Sequence, residues 1–392
     1  SIPLGGGVMG YAAMFGALLL VSLGTGLFKG NLQVMVGNLY DAPELSAKRD
    51  SGFSIFYMAI NIGALFAPTA AVRIKEWAEH SLGYSGNDAY HFSFAVACVS
   101  LIVSMMIYYA FRSTFKHVEA GAGKSKKTDT AGTEEELTPQ QTKERIVALC
   151  LVFAVVIFFW MSFHQNGLTL TFFADEFVSP KSEGVQTMAF DVINLVMIIF
   201  MIYSIMSFFQ SKTSKAKLIS TVVFLAAVGV LVYKYHNIGG PVDVSAPIFQ
   251  QFNPFYVVAL TPVSMAIFGA LAAKGKEPTA PRKIAYGMII AGSAYLLMVL
   301  ASRGLLTPNE QTAAKAAGET VPFASGNWLI GTYLVLTFGE LLLSPMGISF
   351  VSKVAPPKYK GAMMGGWFVA TAIGNLLVSV GGYLWGGLSL TV

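Results

Sequence analysis

The sequence has little charge. Asp, Glu, Lys and Arg make up only 12% of its 392 residues, whereas soluble domains carry about 25%. Hydrophobic residues account for 54%, and the mean hydropathy is +0.60. These values exclude a disordered chain and an ordinary cytosolic enzyme. The apolar runs are also too long and continuous for an outer-membrane barrel, whose segments are short and alternating. The sequence therefore predicts an all-α, polytopic membrane protein.

Cysteine and catalytic motifs are scarce too. The two cysteines, Cys98 and Cys150, both lie within apolar runs, so we interpret them as small core residues rather than as a disulfide or metal ligands. The five histidines lack metal-ligand spacing, and the sequence contains no nucleophile-elbow, zinc-protease or phosphate-loop motif. We therefore expect no catalytic residue, no metal site and no enzyme activity.

Ten segments are apolar and long enough to cross a membrane, which takes about 20 residues. They cover roughly residues 8–39, 52–75, 92–112, 146–174, 188–209, 217–234, 251–273, 284–302, 327–352 and 361–387. Lysine and arginine are concentrated in alternate loops, which predicts that those loops are cytoplasmic. The net charge of +5 is therefore interpreted as a sign of membrane topology, not of nucleic-acid binding.

Residues 113–138 form a long polar stretch that is typical of a flexible cytoplasmic linker. A helix start follows it, because Thr138 can act as an N-cap and Gln141 can complete a capping box. We therefore predict two helical bundles, residues 1–112 and 139–392, joined by this linker.

A weak internal repeat relates the two bundles. An aromatic pair begins at Phe56 and another at Trp367, and each is followed at the same spacing by Ile-Gly and then Leu. The same alignment places Lys29 over Glu340. Both copies run in the same direction through the membrane, so the repeat predicts a pseudo-two-fold axis along the membrane normal.

Lys29, His164 and Glu340 are ionisable side chains that lie away from the ends of the predicted spans. The charges of Lys29 and Glu340 each cost free energy inside a bilayer unless they face a cavity or an oppositely charged partner. They are interpreted as a cross-cavity ion pair or as separate ligand-binding charges, and the alternative is that each is satisfied locally. His164 is a natural proton carrier, or else a hydrogen-bonded structural residue.

Neutral polar groups and aromatic rings also occur in mid-helix. Asn61 and Asn253 either bind a ligand or hydrogen-bond between helices. Trp160, Tyr57 and Trp367 lie near these polar groups, so they either line a pocket or pack in the core. The residues alone leave both pairs of alternatives open.

The segment FSIFYMAINIGAL, Phe53–Leu65, resembles the second signature of the proton-dependent oligopeptide transporters, a branch of the major facilitator superfamily. Further motifs resemble the family's fourth, seventh, eighth, tenth and eleventh helices: Gly26–Asn31, Phe159–Gly167, Asn253–Pro254, Gly339–Gly347 and Gly366–Phe368. The resemblance implies a major facilitator-type, two-bundle architecture, with about ten helices present of an expected twelve plus an extra pair. Residues 1–112 would hold family helices 4–6, and residues 139–392 helices 7–11.

The resemblance also implies roles for individual residues. Lys29 would bind the peptide carboxylate or help to close the inner gate, and Glu340 would bind the peptide amino group or pair with Lys29. Asn61 and Asn253 would bind the peptide backbone and termini. The implied substrate-binding set further includes Tyr57, Trp160, Ser344 and Trp367. Glu340, Lys29 and His164 would couple transport to protons, with the proton as coupling ion and no cofactor.

Three departures from the family pattern stand out. The acidic-Arg motif of the family's first helix is absent, since the chain begins around the fourth helix, and at least one further helix is expected after residue 387. Many relatives carry an acidic residue on the seventh helix near the position of His164. The pair of segments at 188–234 is inserted between the seventh and eighth helices, and the sequence assigns it no role.

The resulting expectation is a proton-coupled symporter that imports di- and tripeptides by alternating access. It would be a multi-pass protein of the bacterial inner membrane and a monomer, with peptides, protons and the lipid bilayer as partners and no nucleic acid. The alternatives are a related transporter of another small solute, such as nitrate or a drug-like anion, and a non-transporting peptide sensor.

Overall fold

Twelve α-helices dominate the part of the chain that the computed structural model describes, residues 7–40, 44–45, 49–118 and 137–391. Their bounds are α1 Val8–Leu39, α2 Arg49–Leu82, α3 Gly86–Phe115, α4 Pro139–Phe163, α5 Thr169–Phe177, α6 Val192–Gln210, α7 Ser214–His236, α8 Phe252–Ala273, α9 Ala280–Ala301, α10 Pro308–Ala316, α11 Gly326–Val354 and α12 Lys360–Leu384. Ten spans among the described residues are long and apolar enough to cross a membrane. The all-α, polytopic prediction is confirmed.

Two short strands join loops on one side of the second half of the chain. Strand β1, Lys181–Ser182, pairs antiparallel with β2, Val242–Asp243. Lys181 lies opposite Asp243, and Ser182 lies opposite Val242. Helix α10 lies within residues 303–326, the stretch between two of the predicted membrane spans.

The described chain divides into two compact units. The first contains α1, α3 and the two ends of α2. The second contains α4 to α12 together with residues 57–69 in the middle of α2. Residues 119–136, most of the predicted linker, lie outside the described residues, and the predicted domain boundaries stay a prediction.

The first unit is held together where α2 and α3 meet. The Ser93 hydroxyl donates to the carbonyl of Ala71 at 3.0 Å, and the Phe92 ring packs edge-on against Trp77 and Tyr84. Lys29 lies in this unit, on α1, with its side chain exposed.

The second unit is built around α11, whose central turns are buried on every side. Two glycines allow α9 to approach it closely. A Cβ atom at Gly339 would lie 2.7 Å from the carbonyl oxygen of Gly287, and one at Gly287 would lie 2.6 Å from that of Gly339. The backbones of α9 and α11 therefore touch one residue before Glu340.

The span predicted at 146–174 is broken in the structure. Helix α4 ends at Phe163, a 3₁₀ segment covers His164–Gly167, and α5 begins at Thr169. The break is stabilised because the freed carbonyl of Asn166 accepts hydrogen bonds from the hydroxyls of Thr171 at 3.0 Å and Tyr333 at 3.2 Å. The predicted membrane span is confirmed as part of Pro139–Phe177, but hydropathy does not reveal the break inside it, because side-chain hydrogen bonds there replace backbone ones.

The two cysteines are exposed on their helices, so the prediction that they lie in the core was wrong. An apolar run does not separate core from lipid-facing positions, because lipid is as apolar as a protein core. The predicted start of α4 is confirmed. Thr138 accepts from the backbone of Gln141, and the Gln141 side chain accepts from the backbone of Thr138.

A second capping box begins α10. The Thr307 backbone donates to Glu310 Oε2 at 2.9 Å, and the Glu310 backbone donates to Thr307 Oγ1 at 3.3 Å. The first of these bonds holds the pKa of Glu310 below its ordinary value. Since the folded-state pKa is depressed, this bond stabilises the helix start above the ordinary glutamate pKa, and the stabilisation is lost as the pH falls through the lowered one.

We therefore expect acid to open the first turn of α10. Hydrogen exchange at the Thr307 amide should become faster at acidic pH in the native protein than in a Glu310→Gln variant, which keeps the capping box without a titrating carboxyl. Comparing the two proteins at each pH cancels the pH dependence of exchange itself. Equal exchange at every pH would contradict a role for Glu310 ionisation.

Candidate functional site

A buried carboxylate lies near the centre of the second unit. Glu340 is only 3% exposed. The Tyr57 hydroxyl donates to its Oε1 atom, and the Asn253 amide donates to its Oε2 atom at 2.8 Å. The same amide donates to Thr337 Oγ1 at 2.9 Å. These four residues, Tyr57, Asn253, Thr337 and Glu340, are called the carboxylate cluster below.

Three helices supply the carboxylate cluster. Thr337 and Glu340 are three residues apart on α11, so they share one face. Asn253 lies in the first turn of α8, and Tyr57 lies on the part of α2 that belongs to the second unit. The Gly287–Gly339 crossing sets the position of the Glu340 backbone from the opposite side of α11.

Within the second unit, the groups that donate hydrogen bonds to Glu340 are uncharged: the Tyr57 hydroxyl and the Asn253 amide. Among the described residues of the second unit, Glu340 takes part in no ion pair. A buried ionised carboxylate with neutral donors alone is expensive, because hydrogen bonds do not replace the lost hydration of a full charge. The geometry therefore suits a group that either binds a proton or receives a cationic ligand.

Two more predicted residues lie one helical turn from the carboxylate cluster. Ser344 follows Glu340 by four residues, and its hydroxyl is buried without a hydrogen-bond partner in the described part of the chain. Asn61 follows Tyr57 by four residues and donates its amide to the Tyr57 carbonyl at 2.9 Å. The Asn61 amide nitrogen is thus engaged by a hydrogen bond within its own helix.

The two predicted tryptophans are both buried in the core of the second unit. The Trp160 ring stacks on the His164 imidazole, with ring centroids 5.0 Å apart and planes 17° from parallel. Its Nε1 atom is buried and, among described atoms, has no hydrogen-bond partner. The Trp367 indole fills the space in front of Gly347, where a Cβ atom would overlap it. Trp160 thus packs beside His164 at the α4 break, and Trp367 packs against α11.

The structure thus brings Tyr57, Asn253 and Glu340 into direct contact. It places His164 at the break between α4 and α5. Lys29 belongs to the other unit, so its pairing with Glu340 stays a prediction, as do the ligand-binding roles of all these residues.

Sequence reasoning missed Thr337 and Gln251. Gln251 immediately precedes α8 and is fully buried, and its Oε1 atom accepts from the Thr69 hydroxyl at 3.2 Å, joining the start of α8 to α2. Both residues could have been found from the sequence, because each is a polar residue within three positions of a predicted site residue in a largely apolar segment.

A family profile described as the POT family matches residues 2–131 and 234–382. The chain belongs to the POT family. This confirms the predicted resemblance and, with it, the major facilitator-type architecture. The unmatched stretch between these ranges contains α4, α5 and α6 and nearly all of α7, so it includes the predicted inserted pair but is not confined to it.

Two curated relatives illustrate the similarity. The peptide transporter YePEPT of Yersinia enterocolitica is 26% identical over 407 residues, covering 98% of this chain and 72% of its own length. A di-/tripeptide transporter of Lactococcus lactis subsp. cremoris is 28% identical over 384 residues, covering 92% of this chain and 67% of its own. This POT-family chain therefore matches about two thirds or more of the length of each of these relatives.

A solved structure supports the fold. The crystal structure of a POT family transporter in complex with 5-aminolevulinic acid superposes with a TM-score of 0.52 at 18% identity, covering 94% of this chain and 70% of that one. At this identity the likeness concerns the fold. The protein is thus a multi-pass membrane protein of the POT family.

Proposed function

We propose that this protein is a proton-coupled symporter that imports di- and tripeptides across the cytoplasmic membrane by alternating access. The observation that carries the proposal is the carboxylate cluster, in which a buried Glu340 is met within its unit by hydroxyl and amide groups alone. Membership of the POT family and the names of the curated relatives support the substrate class.

The chemistry of the cluster suits the amino end of a peptide. An ammonium group is a cation with three donors, and it would neutralise the Glu340 carboxylate in a site where a lone charge is costly. Asn253 retains its amide oxygen as an acceptor for such a group. On this proposal Lys29, in the other unit, binds the peptide carboxylate, so the protein recognises parts that all short peptides share.

Proton coupling follows from the same carboxylate. When Glu340 is ionised it pairs with Lys29, and when it binds a proton the pair is lost. A proton biases a two-state equilibrium only because its affinity differs between the states, and making and breaking this pair supplies that difference. His164, at the break between α4 and α5, is proposed as a second proton-binding group.

The decisive experiment is uptake of labelled dialanine into liposomes that contain the purified protein. With an inward proton gradient we expect dialanine to accumulate above its external concentration, and we expect an uncoupler to abolish the accumulation. The control is the same liposomes without protein.

The other outcomes contradict the proposal in different ways. Dialanine binding without accumulation would favour a peptide sensor. Neither binding nor uptake would favour a transporter of another solute, such as nitrate or a drug-like anion.

A further inference from the structure

The inserted helices α6 and α7 form an antiparallel pair, and α6 packs on α8. At their joined end, where α6 finishes at Gln210 and α7 starts at Ser214, the two helices diverge around an open cleft of about 160 Å³. The cleft is walled by the aromatic rings Phe208, Phe209 and Phe224. Phe209 is 80% exposed, so this wall faces outward from the bundle.

The interior of the cleft is not purely apolar. Ser204, Ser220 and Thr221 place hydroxyls along it. Ser220 bonds to Ser207 at 2.9 Å, and Thr221 bonds to the Lys217 carbonyl at 2.9 Å. Ser204 is 6% exposed as a residue and also lines the cleft. Its hydroxyl can exchange a hydrogen bond with a polar atom of a ligand in the cleft.

The charge at this end of the pair is entirely positive. Lys212, Lys215 and Lys217 lie within six residues, and no acidic residue occurs between 192 and 236. The Lys217 ammonium lies 5.6 Å from the centre of the Phe208 ring, at the edge of the cleft itself. At the other end of the pair, Lys234 is neutralised by Asp191. The three lysines at the joined end thus have no acidic neighbour within the helix pair, and Lys217 lies at the edge of the cleft.

We propose that the α6–α7 cleft binds an anionic phospholipid of the leaflet that adjoins the lysine-rich loops. The phosphate lies among Lys212, Lys215 and Lys217, and an acyl chain lies between the phenylalanine rings. Ser204 is six residues from the end of α6, on the order of 9 Å along the helix axis. This depth places its hydroxyl level with the glycerol esters, below the phosphate. Anionic headgroups are attracted by such lysine clusters, which gives the inserted pair a role independent of transport.

Native mass spectrometry of the purified protein tests this proposal. The probes are phosphatidylglycerol and phosphatidylcholine with identical acyl chains. We expect the protein to retain phosphatidylglycerol at least tenfold more than phosphatidylcholine. We expect the combined Lys212→Gln, Lys215→Gln and Lys217→Gln variant to lose at least four fifths of that preference. The matched control removes the same charge from three other lysines, Lys143→Gln, Lys274→Gln and Lys276→Gln, and should retain it.

A second pair of variants separates the cleft from its charge. Ser204→Leu replaces a hydroxyl that lines the cleft by a larger apolar side chain while the lysines remain, and we expect it to lower phosphatidylglycerol retention at least fivefold. Leu218→Phe, on the exposed face of α7, adds bulk outside the cleft and should have no effect. Equal loss in both lysine variants, or full retention in Ser204→Leu, would overturn the proposal, as would equal retention of the two lipids. Unchanged gel-filtration profiles would show that the variants are folded.

Discussion

Replacing Glu340 by Gln is expected to abolish proton-driven uptake of dialanine while leaving the protein folded. Glutamine keeps the size of the side chain; its carbonyl oxygen can accept from the Asn253 amide and its NH2 group can donate to the Tyr57 hydroxyl oxygen, so the contacts between α2, α8 and α11 survive. The negative charge is lost. Leaving a buried charge without its partner costs about 3–5 kcal/mol, so an ammonium group in this site should bind at least ~100-fold more weakly.

The measurement is the initial rate of dialanine uptake into liposomes under an inward proton gradient. Glu319→Gln is the matched control, because Glu319 is exposed in the loop after α10 and the same change there should leave the rate intact. A Glu340→Gln protein that accumulates dialanine at half the native rate or faster would show that the carboxylate is not part of the transport site.

Replacing Gly339 by Ala is expected to destabilise the second unit and to displace Glu340. The added Cβ would lie 2.7 Å from the Gly287 carbonyl oxygen and 3.1 Å from the Ala291 backbone nitrogen. These are backbone atoms, so the whole of α9 must move away from α11. Overpacking of this kind costs about 1–3 kcal/mol. Because the residue precedes Glu340, the same movement should weaken dialanine binding.

Thermal unfolding in detergent, followed by the loss of monodisperse protein in gel filtration, measures the effect. The control is Gly331→Ala on the same helix, since a Cβ atom there meets nothing within 4 Å. That variant should be as stable as the native protein or slightly more so, because alanine favours a helix over glycine. Equal melting of the two variants would mean that α9 and α11 do not need their close approach.

The sequence was informative wherever the membrane itself constrains the residues. Length and hydropathy sufficed to find the ten spans, and Thr138 with Gln141 was enough to locate the start of α4. Polar residues in apolar helices also indicated the carboxylate cluster, because Asn253 and Glu340 would cost free energy anywhere but among polar groups.

The features that could not be predicted from the sequence are those that depend on contacts between helices. The break at His164–Gly167 depends on hydroxyls from Thr171 and Tyr333, and Tyr333 is far away in the sequence. The outward position of Cys98 and Cys150 depends on helix rotation, which an apolar run does not reveal. The use of the Asn253 amide by both Thr337 and Glu340 likewise follows from how α8 meets α11.

The wide separation of the groups around Glu340 has a consequence for biosynthesis. Tyr57 precedes its hydrogen-bond partner by 283 positions. At a synthesis rate of about 5–20 residues per second, α2 emerges on the order of 15–60 s before α11. Throughout that interval Tyr57 lacks its acceptor and Asn253, once made, lacks its carboxylate. The carboxylate cluster can therefore form only after α11 has been inserted, which makes its assembly one of the last steps in the maturation of the second unit.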